Sequence, residues 1–190
     1  MNLFGHFKTV MRHKLLVLIH CFKVGLYAQG ILHDMSKFSP AEFWVGVKYY
    51  QGDRSPNNAE REELGYSSSW LHHKGRNMHH YEYWTDYSAT EKGAIIVPVR
   101  MPLKYVIEMF MDRIAAAKVY NKGHYTDDIP LLYFTRSMDR ILMHPDTKRL
   151  LRGLLKMLSI RGEKETFRYI RQELLQKRRR RSWIKRQKKR

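Results

Sequence analysis

The segment from Pro102 to about Tyr120 constrains the fold most, because its apolar residues recur with the period of an α-helix. Tyr105, Met109, Asp112, Ala116 and Val119 fall on one stripe. The same period governs residues 10 to 28, where His13, Val17, Cys21 and Val24 share a face, and three later stretches near 130–142, 146–159 and 163 onward. The chain shows no internal repeat, no glycine-serine linker and no second core. It is therefore expected to be all-α, a single helical bundle with its C-terminal helices packed on the same domain. The expected organisation is 1–125, then 126–176, then a basic tail over 177–190. The motif SPAEF predicts a helix from Ser39 to about Tyr50, with Ser39 as cap, Pro40 in the first turn and Glu42 closing a capping box. The polar stretch from Gln51 to Ser69 reads as a long loop, either a lid or an insertion. The run ATEKGAIIVPV reads as a strand-like connection.

Charge and cysteine usage bound the function. A single cysteine, Cys21, excludes an intrachain disulfide and any zinc site built from several thiolates, and fits a reducing, cytoplasmic compartment. The apolar run LLVLIHCF is too short to span a bilayer, and no cleavage pattern follows it. The net charge is +18, and residues 177 to 190 hold ten Lys or Arg with no acid. Such a tail seeks phosphate, so Arg178, Arg179, Arg180, Arg181, Lys185 and Arg186 are candidates for binding nucleic acid or an anionic surface. Oligomeric state is not written in these features.

Ten histidines are spread through the chain, and four of them crowd into HHKGRNMHH, residues 72 to 80. They either decorate a polar loop or complete a metal site. In ILHDMSKF, His33 and Asp34 stand side by side in an apolar context, with Lys37 three and four residues on. A buried carboxylate is costly unless it is paired or bound to a metal. The pair reads either as two ligands beside a phosphate-binding cation or as a helix terminus with a surface His and a capping Asp. Asp112, amid its apolar stripe, needs a cation, a metal or several donors, or else an ion pair with another helix. Arg113 is adjacent but should point elsewhere around the helix. His13 gains interest only from the company of these groups, and His20 is expected to lie behind them. Tyr81, Tyr83 and Trp84 can stack on a nucleobase or form an aromatic core cluster.

The order His13, His33-Asp34, histidines 72 to 80, Asp112 resembles the H…HD…D pattern of the HD-domain metal-dependent phosphohydrolases. Lys37 is similar to the HDxxK extension of several branches. More narrowly, LYAQGILHDMSKFSPAEF, DRSPNNAERE, SWLHHKGRN and HHYEYW resemble a small, functionally uncharacterised family of bacterial and phage proteins. The superfamily resemblance implies an HD-like bundle. His13, His33, Asp34 and Asp112 would be primary ligands, and Asp34 would be able to bridge two ions. His72, His73, His79 and His80 would be the candidates for a second ion or the leaving phosphate. Imidazole with carboxylate suits one or two divalent ions such as Mn, Fe, Zn, Co or Ni. The implied function is hydrolysis of a phosphate ester in a small phosphorylated substrate such as a nucleotide. Asp34 and Lys37 would be the catalytic pair, with Lys37, Lys74 and Arg76 holding phosphate and Arg54 and Arg61 closing over it. The gap after the HD pair is long, and the histidine pairs are unusually close together. No GYP follows them, which argues against the cyclic-dinucleotide branch. HD-like scaffolds also support oxygenation. A different class of function stays open: a helical nucleic-acid binder that uses the tail and has a structural metal site.

Overall fold

A computed structural model describes residues 1–90 and 95–177. The tail candidates Arg178, Arg179, Arg180, Arg181, Lys185 and Arg186 lie outside the described residues. The fold is all-α, with one small two-stranded sheet. Helix α1 (Leu3–Val24) opens where the Asn2 side chain accepts the Gly5 N–H at 2.8 Å, and it closes at Gly25 in the left-handed region, φ 84°. It therefore begins well before the expected position 10. The buried stripe His6, Val10, His13, Val17, His20, Cys21, Val24 keeps the anticipated face.

Helix α2 (Tyr27–Leu32) is short, and the chain leaves it at His33, turning through Asp34 into a 3₁₀ turn over Met35–Phe38. Helix α3 (Pro40–Lys48) starts where SPAEF predicted, but Ser39 makes no side-chain cap and Glu42 closes no capping box. Glu42 is buried and turned to histidines instead. The expected long loop contains a helix, α4 (Pro56–Leu64), with Pro56 in its first turn. Helix α5 (Ser68–Lys74) follows, capped by Ser67, whose Oγ accepts the Trp70 N–H. The strand-like run contributes one strand, β2 (Ile96–Pro98), which pairs antiparallel with an unanticipated strand before it, β1 (Thr85–Tyr87), Thr85 opposite Pro98.

Helix α6 (Leu103–Asn121) runs through the middle of the molecule, which explains why its pattern is apolar almost all round. Ile107, Phe110, Met111 and Ile114 on α6 are fully buried. They meet Val17 and Cys21 of α1, Phe134 of α7 (Ile129–Ser137), and Leu151, Leu155 and Leu158 of α8 (Pro145–Tyr169) in one cluster. Burial of each such side chain contributes roughly 1.5–3 kcal/mol. Helix α8 breaks at Gly162, φ 74°, which is why its sequence reads as two helices, and a π-helical turn over Ile170–Gln176 continues it. Among the described residues, no helix is long and apolar enough to cross a membrane.

Candidate metal centre

Asp34 organises the site. Its backbone sits at φ 55°, ψ 26°, a left-handed conformation that Asp tolerates better than most residues and that is found where function holds it. The preceding peptide is pinned by Lys14, whose Nζ donates to the carbonyls of Ile31 (2.9 Å) and His33 (2.7 Å). The turn drives the Asp34 carboxylate into the interior, where it is 1 % exposed. Lys37 Nζ lies 2.6 Å from Oδ2 and forms an ion pair with it.

The two oxygens face different imidazoles. Oδ1 lies 3.3 Å from His73 Nε2 and 3.4 Å from His79 Nε2, while Oδ2 lies 3.3 Å from His33 Nε2 and 3.5 Å from His13 Nε2. Asp112 Oδ1, from α6, comes within 3.0 Å of His13 Nε2. His13 and His33 turn their Nε2 atoms toward each other at 3.4 Å. Ring nitrogens and carboxylate oxygens converging in this way suit an ion between them. Three groups of ligand atoms lie close enough together to hold a metal ion: His13, His33, Asp34 and Asp112; Asp34, His73, His79 and His80; and His33, His79 and Glu108. Asp34 belongs to the first two. The buried Nε2 atoms of His79 and His80 have no hydrogen-bond partner among the described residues.

Behind the ligands stand two carboxylates for which sequence reading gave no such role. Glu108, one helical turn before Asp112 on α6, lies 3.0 Å from His33 Nδ1 and 3.3 Å from His79 Nδ1. Glu42 takes His73 Nδ1 at 2.7 Å and His72 Nδ1 at 2.6 Å. A proton on Nδ1, donated to the carboxylate, leaves the Nε2 lone pair free for a metal, the usual division of labour around ligating histidines. The i, i+4 spacing of Glu108 and Asp112 in an apolar helix was the available signal for the first. Nothing local marked the second, because Glu42 fits a capping box equally well. Asn77 fastens the turn after α5, its Nδ2 donating to Ser36 Oγ at 2.7 Å and to the His73 carbonyl at 2.8 Å.

Electrostatics match ligand duty for the carboxylates and for His79 and His80. Burial alone would raise the Asp34 pKa, but His33, Lys37 and His73 hold it well below the usual carboxylate range. Asp112 behaves likewise: burial opposes ionisation, and His13 and His33 more than offset it. Burial lowers the pKa of His79, and that of His80 still further, keeping both imidazoles neutral. Burial also works against the Lys37 cation, yet Asp34 and Asp112 raise its pKa overall. Neutral imidazoles and ionised carboxylates are the forms that bind metal. For His33 and His73 burial is outweighed by Asp34 and its neighbouring carboxylates, which raise both pKa values, so an ion would have to displace a proton there.

A cavity of about 400 Å³ opens on the cluster, lined by Lys37, His13, His73, His80 and Asp112. Its far walls include Tyr50, Trp70, Tyr81 and Tyr120. The remaining expectations are sorted by this geometry. His72 stays outside all three groups and serves Glu42, so His73 is the inward member of the first pair. Both His79 and His80 face the cluster. His20 lies apart, against Phe167 and Lys118. Arg54 does not line this cavity but clamps Glu62 through two 2.7 Å bonds. Arg61 is exposed and bonds Asn58. Arg76 is exposed too, and Lys74 does not reach the cavity wall. Lys74 ends α5 and Arg76 follows it, while His73 on the same helix turns inward. Of the expected phosphate binders, Lys37 alone lines the cavity. Trp84 is engaged in structure, its indole N–H donating to the Met78 carbonyl at 2.7 Å. Arg113, expected to point away, lines the cavity.

The molecule is thus an all-α protein with paired, buried His/Asp clusters able to hold metal. Its chain belongs to a family of unknown function (DUF5662), whose model matches residues 2–157. No curated protein and no solved structure matches it.

Proposed function

We propose that this protein is a metal-dependent hydrolase of the HD-domain type, acting on a phosphate ester of a nucleotide or related small phosphorylated compound. The observation that carries the reading is Asp34. A buried carboxylate, held in a left-handed turn, presents one oxygen to each of two imidazole sets. Divalent transition ions bound there would supply Lewis acidity toward a phosphoryl oxygen and a water of lowered pKa.

The chain's own residues do the rest. Glu42 and Glu108 fix the ring orientation and tautomer of His73, His33 and His79. Lys37, held against Asp34 at the cavity wall, offers a cation to a bound phosphate while balancing the carboxylates. Trp70, which stacks on His73 with centroids 5.7 Å apart, excludes water from one side and gives a flat group a surface. A volume near 400 Å³ fits a small molecule and not a polymer. The ten cations of residues 177 to 190 favour a second reading, in which the tail binds nucleic acid and the metal site is structural.

The test is phosphate release from nucleoside monophosphates and p-nitrophenyl phosphate by Mn²⁺- or Zn²⁺-loaded protein. Release is expected in the wild type, lost in Asp34→Asn, sharply reduced in Lys37→Ala and retained after removal of residues 177–190. Metal-loaded protein that hydrolyses none of these, yet binds nucleic acid through the tail, would establish the second reading.

A further inference from the structure

Arg113 is the cation that the metal centre leaves unused. It follows Asp112 on α6, and its side chain lines both the cavity beside the cluster and an adjoining one of about 270 Å³. The two cavities share Ser55, Ala116 and Tyr120 as walls, and none of these is a candidate ligand. The guanidinium lies 5.5 Å from the Phe134 ring. Among the described residues, however, it forms no ion pair, and its buried Nε has no hydrogen-bond partner. Lys37 differs, being already paired with Asp34. So does Arg54, which is clamped by Glu62. Arg113 is half-buried, and a guanidinium held partly out of water without a paired anion is costly. Its planar fork suits a carboxylate or a phosphate.

We propose that Arg113 seats an anionic group of the substrate distinct from the one that meets the metal cluster. The substrate is then a compact molecule with two anionic groups, the second a carboxylate or a further phosphate. The inference rests on the hydrolase reading for the first group only. A group held at the junction of the two cavities is bordered by Ser55, Ala116 and Tyr120, so it is not itself a metal-bound group.

The experiment is calorimetric titration of metal-loaded full-length protein with 3-phosphoglycerate, which carries two anionic groups, and glycerol 3-phosphate, which carries one. The wild type should bind the first roughly tenfold or more tightly than the second, the size of one charge-assisted contact. Arg113→Met should abolish that preference while metal content and glycerol 3-phosphate affinity stay unchanged. Arg113→Lys should restore part of it and guards against a folding defect in the Met variant. No preference in the wild type, an undiminished preference in Arg113→Met, or no binding of either compound would overturn the proposal. If the protein loads no metal, the hydrolase reading fails by itself. The same pair of titrations on metal-free protein then decides Arg113, a surviving preference upholding its role and an absent one removing it.

Discussion

Replacing Glu42 with Gln isolates the part of the site that orients one ligand set. Glu42 is 6 % exposed and accepts from His73 Nδ1 at 2.7 Å and His72 Nδ1 at 2.6 Å. The amide keeps the shape and one acceptor, but its NH₂ now confronts the other imidazole N–H. His72, half-buried, can turn to water, whereas His73 is buried and must change tautomer or lose its orientation. A proton moved from Nδ1 to Nε2 would occupy the lone pair that faces Asp34 Oδ1. Loss of such an outer carboxylate lowers metal affinity about 10- to 100-fold, or about 1.4–2.7 kcal/mol. The set of His13, His33, Asp34 and Asp112 has no contact with Glu42, so the effect should fall on one ion alone. Chelator competition with Zn²⁺ or Co²⁺, read by metal analysis, should show one equivalent weakened and the other within about threefold of wild type. Two equivalents of unchanged affinity, or equal loss of both with the fold intact by circular dichroism, would refute the reasoning.

Other consequences concern the scaffold. Burial pushes the His20 pKa down to about 3, with Lys118 and Lys23 adding to it, so the fold holds this imidazole neutral while the unfolded chain takes up a proton near its ordinary pKa. The folded pKa is the lower one, so stability is whole above about pH 6.5 and is lost as pH falls toward 3. His20→Leu should remove about 2 kcal/mol of the difference between urea melts at pH 7.5 and pH 5. In Gly46→Ala a Cβ would lie 2.2 Å from the His6 ring, so a change that stabilises most helix interiors should instead destabilise by about 1–3 kcal/mol in a denaturant melt. Glu60 is buried and accepts from Ser67 Oγ, from Ser68 N and Oγ, and from Ser69 Oγ at the start of α5. Glu60→Ala should cost about 2–4 kcal/mol in unfolding free energy and weaken the metal equivalent that uses His73, because α5 loses its anchor.

What could be read in the sequence was whatever short-range spacing determines. The 3.6-residue period of α1 and α6 specified the class of fold and the buried faces, and it put His13 and Asp112 on those faces. The choice between His72 and His73 was not legible, since neighbours on a helix point about 100° apart and only the docking of α5 on α3 selects the inward one. Glu42 shows the same limit, since capping-box spacing and a role behind a ligand leave the same local pattern. Helix α4 escaped because its buried side is a single carboxylate, Glu60, and so gives no apolar stripe. The phosphate-binding candidates Arg54, Arg61, Lys74 and Arg76 were chosen for charge and nearness in sequence, and neither fixes which cavity a long side chain reaches. Arg113 was passed over for the converse reason. Adjacent to Asp112 in sequence, it reaches the same cavity from the other flank of α6 through a long stem.

The proposed function requires Asp34 to be shared by two ions, and the most direct test is metal stoichiometry and coupling. Full-length protein purified without an affinity tag, wild type beside Asp34→Asn, would be loaded with Mn²⁺ and examined by elemental analysis and electron paramagnetic resonance. The wild type should take up two equivalents with an exchange-coupled signal, and the variant should lose the coupling with at least one equivalent gone. No uptake by the wild type, or full uptake with unchanged coupling in Asp34→Asn, would contradict the proposed function.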